Sequence, residues 1–373
     1  MSDVTAQVKI LLTGATGFIG GAVLVELAQR GLLCNTVLLV RASDQEQALA
    51  RVQANLSVFE CQITASDLTA QQMICADLSD TASLQTANWQ GITHVIHCAA
   101  LATFSNNPKI WALNVDGTLA LAKAIQAGGT LKRWIQVGTA MSCGPGLTSP
   151  VSESWELGAD QDAHLVPYTR SKIAAEHALR ELPNFPLVVA RPSIVVGHST
   201  LGCKPSPSIF WVFRMAFALE RFTCGAFEQI DIVPVDWCAR ALLSLCLKPK
   251  LAHDLYHVSA GSAGSNQFIE IDAAYAKATG AEPIAPRYAQ VALADLKSLV
   301  PLFEEKLGKV NRILILRALM LYGAFAELNY VFANQRLLDE GIEAAPSFAS
   351  FVHQCVHTSE AIPMLDQMAH DFK

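Results

Sequence analysis

Charge is scarce in this 373-residue chain: 16% of the residues are Asp, Glu, Lys or Arg, and no basic run or stripe occurs. With a formal net charge of −6 it lacks the cationic surface that a phosphate backbone demands, so nucleic acid is not an expected partner. Ten cysteines are present, yet no Cys-x-x-Cys pair and no zinc spacing occur among them, so no metal site is expected. Several lie inside apolar runs, the pattern of reduced, buried thiols, and a cytoplasmic location is the expectation. Long apolar runs are also missing. Ala318 to Ala326, bracketed by Arg317 and Glu327, is far too short to span a bilayer, which leaves at most a peripheral membrane contact. Met1 to Gln7 is polar and leads directly into a strand pattern, so no secretory signal is expected. Repeats and low-complexity tracts are absent, and nothing in the pattern specifies an oligomeric state. What is abundant is apolar residues, 51% of the chain, enough at this length for a large core and a second lobe.

The chain is organised around Val8-Lys9-Ile10-Leu11-Leu12-Thr13-Gly14-Ala15-Thr16-Gly17-Phe18-Ile19-Gly20. An apolar run ending in a glycine turn and opening into a helical pattern is a strand-turn-helix unit. Gly14 permits the sharp turn, Gly17 lets backbone approach a pyrophosphate, and Gly20 lets helix and strand pack closely. The helix N-terminus beyond Gly17 aims free N–H groups at that anion. The spacing is Gly-x-x-Gly-x-x-Gly, a variant of the ordinary dinucleotide fingerprint.

Helical periodicity through Ile19, Val23, Leu24 and Leu27 stops at Gly31, and Thr36 to Val40 reads as a second buried parallel strand. The position just past that strand selects the cofactor. Arg41 there favours the 2′-phosphate of NADPH over the free ribose hydroxyls of NADH, and Arg51 on the next helix offers a second cation. Met73 to Ala76 is a third strand; Asp77 then either accepts from the adenine amine or caps the following turn, and Leu78 covers the ring. His94 to His97 forms a fourth strand leading to Cys98, Ala99 and Ala100. The two alanines let backbone lie against the nicotinamide-side ribose, whereas His97 and Cys98 have no partner spacing and read as core residues. A helix from Pro108 carries Asn114, and Arg133 to Val137 is a fifth strand ending in Gly138-Thr139-Ala140, with a hydroxyl at the carboxyl edge of the sheet.

Tyr168 and Lys172 stand four residues apart on the next helix and share one face. An ammonium beside a phenol is expected to lower the phenol's pKa and make it a proton donor and acceptor near neutrality. Thr13 to Gly20, Asn114, Thr139 and the Tyr168/Lys172 pair together resemble the extended short-chain dehydrogenase/reductase superfamily over residues 8–260. The resemblance implies Tyr168 as acid, Lys172 as ribose anchor and phenol tuner, Thr139 as carbonyl orienter and Asn114 as support for a proton relay. Thr13, Gly14, Thr16, Gly17, Phe18, Ile19 and Gly20 would hold the pyrophosphate. Arg191, Pro192, Ser193 and Ile194 match the end of the sixth strand, where cofactor meets substrate. Gly138 departs from the hydroxyl-rich pair common in that superfamily and thins the hydrogen bonding expected at the carbonyl. Leu39-Val40-Arg41-Ala42, Ala48 to Arg51 and Ile230 to Asp236 are similar to the thioester-reductase and fatty acyl-CoA reductase branch, which reduces acyl thioesters with NADPH. In the last of these, Asp236 is also a candidate cap for a helix over Trp237 to Leu247.

The expected architecture is α/β: a doubly wound (Rossmann) parallel sheet over residues 1–198 and 229–260, with a smaller, mostly helical substrate lobe over 199–228 and 261–373. Ile209 to Leu219 is apolar nearly all round, as a core helix or as the wall of an acyl pocket, and Ile313 to Phe332 is the strongest helical pattern of the C-terminal part. The expected activity is NADPH-dependent reduction of an apolar acyl-CoA or acyl-carrier-protein thioester to the aldehyde, with onward reduction to the alcohol left open. The alternative on the same residues is an NADP-dependent secondary-alcohol or hydroxysteroid dehydrogenase.

Overall fold

In the computed structural model of the chain, residues 8–61, 67–104, 106–307 and 311–371 are described. The polar segment Met1 to Gln7 lies outside them.

Seven strands form one parallel sheet: β1 (Ile10–Thr13), β2 (Thr36–Val40), β3 (Met73–Cys75), β4 (His94–His97), β5 (Arg133–Val137), β6 (Leu187–Pro192) and β7 (Leu255–Val258). Their spatial order is β7-β6-β5-β4-β1-β2-β3, so the winding reverses between β1 and β4. That reversal opens a crevice at the carboxyl ends of β1 and β4, the place where this architecture binds its ligands. All four residues of β1 are buried, as a central parallel strand requires. Alternate residues serve opposite faces. Ile10, Leu12, Leu38 and Ile96 join one core, whereas Leu11, Leu39, Val95 and Trp134 join the other.

Helix α1 (Phe18–Gln29) starts from extended Gly17 and ends before Gly31, whose φ of 67° only a residue without Cβ adopts freely. Helix α2 (Gln45–Val58) is capped by Asp44, whose carboxylate accepts from Gln47 N. Helix α3 (Thr118–Ala127) is preceded by a widened π-type turn over Ala112–Gly117 that contains Asn114. Helix α4 (Pro167–Arg180) carries Tyr168 and Lys172, with Pro167 in its first turn.

A second core is built by α5 (Phe210–Leu219), α7 (Phe268–Thr279), α8 (Arg312–Glu327) and α9 (Phe348–Ser359), all mainly aromatic and aliphatic on their inner faces. Helix α6 (Val235–Leu247), between α5 and α7 in the chain, instead packs on the sheet beside α1. It begins two residues earlier than its pattern suggests, and Asp236 lies within it rather than capping it. The Asp236 carboxylate accepts from Ser199 N and Oγ at 2.9 and 2.7 Å, tying the chain after β6 to the helix. The C-terminal helical pattern also stops short: α8 ends at Glu327, and Asn329 turns the chain at φ 47°. Beyond it Tyr330 and Phe332 pack on Ala140, Cys143 and Val151, and Leu337 joins the core of the sheet. Residues 330–345, assigned above to the helical lobe, thus strap the sheet, because their apolar side chains find buried partners there.

Candidate active site

The crevice at the β1/β4 switch widens into a cavity of about 500 Å³ that runs from the glycine turn into the helical lobe. At its sheet end stand Gly14, Gly17, Phe18, Ile19 and Gly20; a β-carbon on Gly14 would lie 2.8 Å from Ala99 N, and one on Gly20 2.2 Å from Gly14 O. The turn therefore closes only without side chains at these positions, and it offers the cradle of backbone N–H groups that a pyrophosphate needs. This is the observation on which a dinucleotide fits. Ala100, Pro192, Ser193 and Ile194 line the cavity further along.

Thr139, Tyr168 and Lys172 meet on one wall of it. Lys172 Nζ donates to Val137 O at 2.7 Å and sits 5.8 Å from the Tyr168 ring centroid. The expected lowering of the phenol pKa is not what this environment produces. Burial, with the Glu176 carboxylate adding to it, pushes Tyr168 up to about 12, while burial brings Lys172 down to about 8 against the pull of Glu176. Tyr168 is thus a protonated donor at neutral pH, and the ammonium beside it is the more labile of the pair. Phe104 meets the Tyr168 ring edge-on at 6.1 Å and also touches Tyr322 and Phe325 of α8 at 5.7 and 5.6 Å. Those contacts join the sheet side to the helical lobe.

Other expected residues are placed differently. Thr13 is buried: its hydroxyl lies 2.9 Å from His97 Nδ1 and accepts from Ala99 N at 3.0 Å, so it shapes the turn from behind. His97 also meets Thr118 Oγ1 at 2.9 Å through Nε2, and burial keeps the ring neutral, with its pKa down to about 3. It is a satisfied core residue, consistent with the absence of any partner spacing around it in the sequence. Cys98 lines the cavity, but burial raises its thiol to about 12 and removes it as a nucleophile. The Asn114 side-chain amide is engaged locally: Oδ1 accepts from Leu101 N at 2.7 Å, and Nδ2 donates to Ser171 Oγ at 2.9 Å. Ser171 in turn donates to Tyr168 O at 2.8 Å, so Asn114 anchors the first turn of α4. Arg191 is fully buried; its Nε and Nη2 both donate to Glu176 Oε2, at 3.0 and 2.7 Å, in a buried ion pair. Gly138 is explained by the same pair, since a β-carbon there would lie 2.2 Å from Glu176 Oε1. The missing hydroxyl at that position makes room for a buried carboxylate.

Thr16 is half-buried in the glycine turn, and Arg41 is exposed just past β2; Arg51 donates to Arg41 O. Asp77 folds onto its own turn, accepting from Ser79 N and Oγ at 2.9 and 2.8 Å, and Arg41 and Lys109 are close enough to help lower its pKa against the cost of burial. The turn-capping interaction is thus formed. Leu78 is buried, with its carbonyl against Gly117. Phe104, Tyr322, Phe325 and Glu228 also line the cavity, although no sequence motif marks them. The only available signal was an aromatic residue in an otherwise polar loop for Phe104; nothing local marks the others. Among the described residues no group of His, Cys, Asp or Glu is arranged to hold a metal, and no helix is long and apolar enough to cross a membrane.

The doubly wound sheet, the glycine cradle and the Thr139/Tyr168/Lys172 wall define a dinucleotide-binding protein of the extended short-chain dehydrogenase/reductase type. Residues 12–242 match the family model for the male sterility protein type of NAD-binding domain, and the chain belongs to that family. Among curated proteins it is 24% identical over 270 residues to a non-canonical nonribosomal peptide synthetase of Aspergillus hancockii, covering 67% of this chain and 26% of that one. It is 26% identical over 282 residues to the fatty acyl-CoA reductase wat of Drosophila melanogaster, covering 63% of this chain and 53% of that protein. The chain thus spans about a quarter to a half of the length of these relatives. Among solved structures, the terminal R domain from the myxalamid PKS-NRPS biosynthetic pathway shares the fold, with a TM-score of 0.71 at 21% identity over 94% of this chain and 90% of that one.

Proposed function

We propose that this protein is an NADPH-dependent reductase of an apolar acyl thioester, carried on coenzyme A or on a carrier protein, and that its first product is the aldehyde. One observation carries the reading: the wall bearing Tyr168, Thr139 and Lys172 opens directly into a chamber lined by Val212, Phe213, Ala216 and Phe325. A chamber of that composition suits an acyl group, and its polar end suits a carbonyl. The family's membership and the reductase relatives support the reaction class.

The glycine turn would hold the pyrophosphate, Arg41 and Arg51 the 2′-phosphate, and Lys172 the ribose hydroxyls. A bound reduced nicotinamide supplies the hydride that reduces the thioester carbon. The chain's own residues handle the oxygen and the proton. Tyr168 and Thr139 donate to the carbonyl oxygen as it gains negative charge, which lowers the barrier to addition. Lys172 places positive charge beside them and steadies the Tyr168 hydroxyl in its donating orientation. As the carbon–sulfur bond breaks, the oxygen returns to carbonyl form and the thiolate leaves and takes up a proton. Per thioester, one NADPH and one proton are consumed and one aldehyde and one thiol are released.

The test is incubation with NADPH and a series of acyl-CoA and acyl-carrier-protein thioesters, following cofactor absorbance and free thiol together. One thiol is expected per NADPH where the aldehyde is released, and one per two NADPH where it is reduced onward to the alcohol. NADP⁺ reduction by secondary alcohols, with no thiol released from any thioester, would transfer the assignment to an alcohol dehydrogenase.

A further inference from the structure

Two carboxylates line the cavity: Asp231 is buried and accepts from Ala260 N and Phe332 N, whereas Glu228 is half-buried and less fully engaged. Its Oε2 accepts from Gly225 N at 2.7 Å, and its backbone carbonyl accepts from Phe268 N at 3.1 Å, so the side chain is pinned by the loop that carries it. Among the described residues Glu228 belongs to no ion pair, and no hydrogen bond is made by its second oxygen. Its polar neighbours are already engaged with each other: Cys224 Sγ and Tyr288 OH lie 3.3 Å apart, and Tyr288 OH donates to Cys224 O at 2.8 Å. Phe213, Ala216, Phe222 and Phe268, none of which carries a side-chain donor, line the same cavity.

A carboxylate oxygen in such surroundings keeps its hydration only while the chamber holds water. A plain alkyl chain entering would strip that water and return nothing, a cost a site does not carry unless its ligand repays it. An N–H donor on the ligand replaces the water directly and, if charged, pairs with the carboxylate in a low-dielectric site. Resting on the thioester-reductase reading above, we propose that Glu228 is a specificity-determining residue that selects acyl groups bearing an N–H donor, an amine or an amide, over plain alkyl chains of the same length.

The test compares a short-to-medium series of ω-aminoacyl pantetheine thioesters, their N-acetyl forms and methyl-terminated alkyl isosteres with the native chain and with Glu228→Gln. The glutamine keeps an oxygen acceptor for Gly225 N, so the loop and the melting temperature should be retained while the charge is lost. For at least one length the native protein is expected to prefer the N–H-bearing thioester in kcat/KM by on the order of a hundredfold, and Glu228→Gln to bring that ratio within about threefold for the amine. A larger loss for the amine than for the N-acetyl form identifies the ammonium as the group read; equal loss identifies the neutral N–H. Native kcat/KM equal or higher for the alkyl isosteres at every length overturns the proposal, as does a preference that survives Glu228→Gln. Calorimetric binding of the same compounds to the protein with oxidised cofactor reads the contrast without turnover. If no thioester is reduced but the contrast in binding persists, the reductase reading fails and the Glu228 assignment stands.

Discussion

Replacing Tyr168 with phenylalanine removes one hydroxyl and leaves nearly everything around it in place. The ring keeps its edge contact with Phe104, and Lys172 keeps its 2.7 Å bond to Val137 O, so neither the packing of α4 nor the ammonium's position depends on the lost oxygen. Stability and cofactor affinity should therefore change little. What disappears is the proton donor. A positioned general acid contributes about 10²- to 10⁴-fold, so kcat/KM should fall by that factor, or about 3–5 kcal/mol of transition-state stabilisation. The pH profile separates this from a merely structural defect. Burial holds the phenol near 12, so it stays protonated through the working range, and the group that titrates first is Lys172, near 8. Native activity should be flat around neutrality and decline as pH rises through about 8, where the ammonium is lost. In Tyr168→Phe the residual rate should keep that alkaline limb, because Lys172 is untouched. The assay is steady-state NADPH oxidation with an acyl thioester across pH, alongside cofactor binding and thermal melting. A loss smaller than tenfold with intact binding would refute Tyr168 as the donor, and an alkaline limb that vanished with the hydroxyl would refute Lys172 as the titrating group.

Arg41→Ala should weaken NADPH binding by tenfold or more, about 1.4 kcal/mol, while leaving NADH nearly unaffected, as read by calorimetry with both cofactors; equal effects on the two would remove Arg41 from the 2′-phosphate site. Glu176→Ala leaves the Arg191 guanidinium buried without its partner, and chemical denaturation should report a loss of about 3–5 kcal/mol; a loss under about 1 kcal/mol would mean that the pair is not carrying the packing behind Gly138. His97 and His257 are both buried, neutral and held down to about 3. The unfolded chain binds the extra protons between about pH 6.5 and 3, so stability should fall on acidification through that window by up to about 1.4 kcal/mol per pH unit for each ring. A melting temperature independent of pH from 7 to 4 would contradict that burial.

The strand-turn-helix at Ile10 to Gly20, the parallel sheet and the Tyr168/Lys172 spacing were all legible in the linear sequence, because each is a local pattern. An apolar run, a glycine without Cβ and a four-residue helical repeat carry their meaning within a dozen residues of chain. Distant partners decided the rest. The guanidinium of Arg191 is taken by Glu176 and the amide of Asn114 by Leu101 and Ser171, partners that no local pattern announces. The same holds for the phenol of Tyr168, whose pKa depends on how completely α4 is covered and on a carboxylate two turns along the helix, not on the neighbouring lysine alone. Gly138 reads as an omission in sequence and as a necessity in space. The chamber beyond Tyr168 could not be read locally, since its walls come from at least five separate stretches of chain, at Phe104, α5, the Phe222 to Ile230 segment, Phe268 of α7 and α8. Local propensity names the elements, but burial and charge at a site are sums over neighbours remote in sequence, and those sums exist only once the chain has closed on itself.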